Sequence, residues 1–201
     1  MIVVEDDPAV RDALQLLLSG AGYEIEAFES GEAFLESFEA EDSCCVLLDM
    51  NLPGMSGLEV QKALVEKGAQ LQVIFLTGHG EIPLAVEAMR AGAIDFIEKP
   101  SSDGELLEVV ERARQTHAEN HARQVSEAEA KRRIASLTGR EREVFERVSI
   151  GRQNKEVARE LEISPRTVEI YRARVMRKLK ARNLSQLIRV AIAGGAYPGA
   201  A

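Results

Sequence analysis

Short apolar runs and longer helical stripes alternate through the first 112 residues. Strand-like runs fall at Ile2 to Val4, Glu24 to Ala27, Val46 to Asp49, Val73 to Thr77 and Ile94 to Glu98. Between them, apolar residues recur at helical spacing: Val10, Leu14, Leu17 and Leu18; Ala33, Phe34, Leu35 and Phe38; Leu58, Val60, Ala63 and Leu64; Leu84, Ala85, Ala88 and Met89; Leu106, Val109, Val110 and Ala113. Strands alternating with helices predict a doubly wound α/β domain with a five-stranded parallel sheet. Runs such as VLL and VIFL lack polar alternation, as strands covered on both faces do.

From about residue 113 to 136 the chain turns to Ala, Glu, Gln, Arg and Lys without Gly or Pro, which predicts a helical linker. Its weak stripe (Val110, Ala113, His117, Ala118, Ala122, Val125) suits either a short coiled-coil seam between two chains or a solvated extension of the preceding helix. Residues 137 to 201 predict four helices. Thr138 to Glu141 has capping-box spacing for a helix running to about Ile150. A second covers Asn154 to Glu162, a third starts at Pro165 behind Ser164 and runs to about Lys180, and a fourth follows Asn183 and ends at Gly194 and Gly195. The second and third have helix-turn-helix spacing.

The net charge of −8 conceals a split. Residues 1–112 carry 6 Lys or Arg against 23 Asp or Glu, whereas residues 137–201 carry 14 against 7. The basic C-terminal part is where a polyanion would bind. No apolar run approaches the roughly 20 residues needed to span a bilayer, and the N-terminus has no basic flank or cleavage site. A cytoplasmic protein without a membrane partner is expected. Cys44 and Cys45, the only cysteines, read as buried apolar side chains in a reducing compartment; a vicinal redox pair is the alternative, and no function is assigned to them.

In a parallel α/β sheet, ligands bind beyond the carboxyl ends of the strands. The residues closing these strands are Glu5 and Asp6, Asp49, Thr77 and Lys99. Three carboxylates brought together repel one another and call for a hard cation with oxygen ligands, for which Mg²⁺ fits best. Asp49 can then act as a nucleophile on a phosphoryl group, with Lys99 and the Thr77 hydroxyl meeting phosphoryl oxygens. Asp7, just before Pro8, is expected to cap the first helix.

The segments VVEDDPAVR, LLDMNLPGMSGLE, FLTGHGEIPLAVEAMRAGAIDFIEKP and TGREREVF…NKEVARELEISPRTVEIYRARVMRKL resemble a two-component response regulator of the FixJ type, over nearly the whole chain. The resemblance implies a flavodoxin-like receiver at 1–112, a linker at 113–136 and a LuxR-type helix-turn-helix domain at 137–201. It implies Mg²⁺ held by Glu5, Asp6, Asp49 and the Asn51 carbonyl, phosphorylation of Asp49 by a sensor histidine kinase, and a cis bond before Pro100. It also implies a switch through Thr77 and Phe96, and a homodimer of the phosphorylated form through Leu84 to Ala91 and Ile94 to Ile97. Asn51 and His79 would tune phosphate lifetime. Ser101 departs from the Phe such receivers often carry there. The implied function is phosphorylation-dependent control of transcription, with activation favoured, and not conventional enzyme turnover. Double-stranded DNA is the implied partner, and RNA polymerase a further candidate. The alternative is an orphan regulator that binds DNA without phosphorylation.

The third C-terminal helix and the residues after it carry seven Lys or Arg between 166 and 182 against Glu169 alone. Arg166, Thr167, Glu169, Ile170, Arg172, Ala173, Arg174, Arg177 and Lys178 are the expected DNA contacts. The cations would neutralise phosphates, while Glu169, Ile170 and Ala173 would reach base edges.

Overall fold

The computed structural model describes residues 1–38, 44–78 and 82–197. The chain forms two compact units, Met1–Asn120 and His121–Ala201. In the first, strands β1 (Ile2–Val4), β2 (Glu26–Phe28), β3 (Cys45–Asp49), β4 (Gln72–Thr77) and β5 (Asp95–Glu98) form a parallel sheet in the order β2-β1-β3-β4-β5. The second strand lies further along than the apolar pattern suggested, because β1 selects the segment it pairs with: Ile2 faces Glu26 and Val4 faces Phe28.

Neighbouring strand residues point to opposite faces, so each strand supplies two cores. Ile2, Val4, Val46, Leu48, Val73 and Phe75 pack on one side with Phe34 of α2 (Gly31–Ser37), Val60 and Leu64 of α3 (Gly57–Glu66) and Ala88 of α4 (Ile82–Arg90). Val3, Leu47, Ile74, Leu76 and Ile97 pack on the other with Leu18 of α1 (Pro8–Gly20) and Leu106, Val110 and Ala113 of α5 (Asp103–Ala135). Asp7 caps α1 as expected, its Oδ1 accepting from the Ala9 amide at 2.8 Å. Ser56 and Glu59 close a capping box on α3, an arrangement that satisfies amides left without helical partners.

Residues 113–135 are not a separate element but continue α5. Ala113 is buried and Val125 is exposed. In the second unit, the end of α5 contributes Ala130 and Ile134, both buried. The other helices are α6 (Gly139–Ser149), α7 (Asn154–Glu160), α8 (Pro165–Lys178) and α9 (Leu184–Ala193). Val144, Phe145, Val148, Val157, Val168, Val175, Leu179 and Leu187 form their core. Among the described residues no helix is long and apolar enough to cross a membrane.

Candidate functional site

β1, β3 and β5 end at the same edge of the first unit and set Glu5, Asp49 and Lys99 side by side. The Lys99 ammonium donates to Glu5 Oε2 at 2.6 Å and to Asp49 Oδ2 at 2.7 Å. Both carboxylates are buried, whereas Asp6 next to them is exposed. One carboxylate oxygen from each of Glu5, Asp6 and Asp49 lies within 4.8 Å of the others. Three acids against one ammonium leave negative charge in excess, and the donors are all hard oxygens, so the residues fit Mg²⁺.

Burial raises the Glu5 pKa, and the Lys99 hydrogen bond offsets only part of that effect. Burial works against the charge on Lys99 too, but its hydrogen bonds to Asp49 and Glu5 prevail and its pKa is raised. Asp49 is held from the other side, where the Asn51 amide donates to its Oδ1 at 3.0 Å. Thr77 is buried at the end of β4, and its hydroxyl donates to the Gly78 carbonyl at 3.3 Å. The bond between Lys99 and Pro100 is cis. His79 lies outside the described residues.

Three supporting residues escaped the sequence reading. Arg11 donates to the Glu5 carbonyl at 2.7 Å and so fixes the backbone behind the acid pair. Gly57, at the start of α3, sits so close to the end of β3 that a Cβ there would come within 2.3 Å of the Asp49 carbonyl oxygen. Gln61 is buried and donates to the Ala88 carbonyl at 3.2 Å, tying α3 to α4. A Gly in "MSGLE" and a Gln in a helix look like ordinary turn and surface residues, so only the Gly carried a local signal. Ser101, with its short side chain, helps line an open cavity of about 870 Å³ with Val10, Leu14, Leu17, Pro100 and Leu106.

The α4 and β5 surface divides differently from the expectation. Ala85 and Ala88 are buried, and Ala88 belongs to the core between α4 and the sheet, so neither adds to the exposed surface there. Leu84, Val86, Met89 and Phe96 remain exposed there.

In the second unit, α7 leads through a short turn to α8, where the Ser164 hydroxyl accepts from the Thr167 amide at 3.1 Å. Arg166, Glu169, Ile170, Ala173, Arg174 and Arg177 are all exposed. At about 100° per residue they cover one arc of roughly 140°. Thr167, Arg172 and Lys178 fall outside that arc and are engaged within the unit. The Thr167 hydroxyl meets Ser164 Oγ at 2.7 Å, and Arg172 donates to Asn154 Oδ1 at 2.9 Å. Lys178 donates to Glu141 Oε2 at 2.5 Å and to the Ser136 carbonyl at 3.0 Å. The DNA-free unit thus holds these three in internal hydrogen bonds, as it holds Arg166 to Glu169. The Arg174 guanidinium lies 5.8 Å from the Tyr171 ring centre.

Residues 1–111 match the response regulator receiver domain, and residues 135–191 match the bacterial regulatory proteins of the luxR family. The transcriptional regulatory protein FixJ of Azorhizobium caulinodans is 44% identical over 98% of this chain and 93% of its own length. Among solved structures, the response regulator StyR superposes with a TM-score of 0.85 at 39% identity, covering 95% of this chain and 96% of that one. Full-length FixJ from B. japonicum gives 0.61 at 40% identity, covering 98% and 97%.

Proposed function

This chain belongs to the FixJ-type response regulators, a receiver domain joined to a LuxR-family DNA-binding domain, and from that premise we propose that Asp49 takes a phosphoryl group from a sensor histidine kinase and thereby controls transcription. In this reading residues 1–112 receive the signal, residues 113–136, all but the last within α5, carry it, and residues 137–201 bind double-stranded DNA. The observation that carries it is the Lys99 ammonium shared between Asp49 and Glu5.

Glu5, Asp6, Asp49 and the Asn51 carbonyl would hold Mg²⁺, which when bound offsets charge on the phosphoryl oxygens. The Asp49 carboxylate is the nucleophile, an oxygen of it forming the bond to phosphorus while the donor's leaving group departs. Lys99 already bonds to Asp49 Oδ2, so a short displacement lets it pair with a phosphoryl oxygen as a point charge. The Thr77 hydroxyl would give up the Gly78 carbonyl to donate to the same group. This reaction modifies the protein itself and involves no separate substrate pocket.

Loss of Thr77 from its resting position opens room at the end of β4, and Phe96 on β5 is the aromatic that would turn to fill it. Phe96 is 43% exposed and shares its surface with Leu84, Val86 and Met89, which supports dimerisation through this face after phosphorylation. On DNA, Arg166, Arg174 and Arg177 would meet phosphates, and Glu169, Ile170 and Ala173 base edges.

The test uses the full chain and its Asp49→Asn variant with a small phosphodonor and Mg²⁺. Phosphate incorporation, sedimentation and DNA affinity are measured for each. The parent should gain phosphate, mass and affinity together, and the variant none of them. A variant that gains DNA affinity on addition of the phosphodonor overturns the reading.

A further inference from the structure

At the opposite end of β3 from Asp49 lies a second group of reactive side chains. Cys45 is the first residue of β3 and is fully buried; Cys44, just before the strand, is partly exposed. Successive residues within a strand point to opposite faces, but Cys44 precedes the strand, and the two sulfurs come within 3.7 Å. On α5, Arg114 and His117 are three residues apart, on one side of the helix, and both act electrostatically on Cys44.

The pair is therefore asymmetric. The Cys44 thiol is pushed down to about 6, chiefly by its hydrogen bond with Cys45, against the effect of burial and with help from the chain's amino group and His117. The Cys45 thiol is pushed up, by the same hydrogen bond and by burial. The asymmetry favours the thiolate on Cys44 and the proton on Cys45. Partly exposed thiolates near cations are the reactive ones. A metal site does not account for the pair: among the described residues, Glu5, Asp6 and Asp49 form the only trio of His, Cys, Asp or Glu close enough to hold an ion.

We propose that Cys44 is a hydroperoxide-reactive thiol that Cys45 resolves to a vicinal disulfide. The Cys44 sulfur attacks one oxygen of hydrogen peroxide; an S–O bond forms, the O–O bond breaks, and the departing hydroxide takes up a proton as water. Cys44 is oxidised to a sulfenic acid and the peroxide is reduced. The Cys45 sulfur then attacks the Cys44 sulfur; the S–S bond forms, the S–O bond breaks, and a second water leaves with the Cys45 proton. Two thiols and one peroxide give one disulfide and two waters. Adjacent Cα atoms are about 3.8 Å apart, below the usual span of about 4.4–6.8 Å for a disulfide. The product is accordingly one that thiol reductants reopen, in keeping with the transient redox disulfides of reducing compartments.

The full chain is treated with one equivalent of hydrogen peroxide and followed by intact mass and peptide mapping. The expected product has lost two hydrogens, maps to the peptide holding Cys44 and Cys45, and is restored by dithiothreitol. In Cys45→Ala, which cannot resolve, dimedone should trap a sulfenic acid on Cys44. In the unmutated chain, iodoacetamide should label Cys44 at least about tenfold faster than Cys45. Equal labelling of the two thiols, or a parent chain whose mass is unchanged by peroxide, overturns the proposal. Asp49→Asn should oxidise as its parent does, so this chemistry stands or falls separately from phosphorylation.

Discussion

The Lys178 ammonium lies 2.5 Å from Glu141 Oε2, joining the last turn of α8 to the first turn of α6. Glu141 is buried, and the same oxygen also accepts from the Thr138 amide at 2.9 Å. Removing the lysine would leave a buried carboxylate short of its counter-charge. Lys178→Ala is expected to destabilise the C-terminal unit by roughly 2 kcal/mol, less than the ~3–5 kcal/mol of a fully enclosed pair because Lys178 keeps part of its side chain in water. Urea unfolding of the full chain measures this. Unchanged stability together with a shallower salt dependence of DNA binding would mean that Lys178 serves the DNA surface and not the fold.

The same pair sets a dependence on acid. The Lys178 hydrogen bond, with the Thr138 amide second, holds the Glu141 pKa below its usual 4.5. A carboxylate depressed in the folded state contributes stability that is complete above its unfolded pKa and is lost as pH falls through the folded one. The parent should therefore lose stability from about pH 4.5 downward, and Lys178→Ala should lose less over that window. Urea midpoints at several acidic pH values check it; parallel curves for the two proteins would show that another carboxylate dominates.

Gly57 is where helix α3 touches the end of β3, at Asp49. A methyl group there would come within 2.3 Å of the Asp49 carbonyl oxygen and 3.0 Å of Phe75 Cε1. Neither the backbone nor the buried ring yields easily, so Gly57→Ala should cost about 1–3 kcal/mol, the range for overpacking. Its better helix propensity recovers at most about 1 kcal/mol. The variant should melt lower and take up phosphate from a small donor more slowly. A Gly57→Ala chain as stable and as readily phosphorylated as its parent would mean that α3 moves away freely.

These cases mark where the sequence could be read and where it could not. The strand-end residues Glu5, Asp49, Thr77 and Lys99 were legible because a parallel sheet aligns its carboxyl edges, and apolar runs reveal the strands. The helix-turn-helix was legible through Ser164 and Pro165, whose cap geometry is local. The internal partners of side chains on α8 were not. Nothing local to Lys178 or Arg172 announces Glu141 or Asn154, 37 and 18 residues away, as their partners. Ala85 and Ala88 suit an exposed face and a buried one equally well by size, and the fold buries both. Gln61 became buried through a partner 27 residues away, which no local pattern encodes.

On the outward arc of α8, Glu169 is the one acid among cations, and in the free protein it accepts from Arg166 at 3.1 Å. Both side chains are largely in water, so this contact is worth at most about 1 kcal/mol and gives way readily to DNA. Arg166 and Glu169 should then play different parts. An arginine on a phosphate binds every sequence alike, whereas a carboxylate accepts from a cytosine amino group and rejects other bases there. Glu169→Ala should therefore flatten the preference at one base pair by about 1–3 kcal/mol and leave the salt dependence nearly as it was. Arg177→Ala should weaken all duplexes together and reduce the slope of log K against log salt by about 0.9. Duplexes selected from a random pool, then varied singly and titrated by fluorescence anisotropy at several salt concentrations, separate the two effects. If Glu169→Ala lowers affinity for every duplex equally, the acid only positions Arg166, and base reading passes to Ile170 and Ala173.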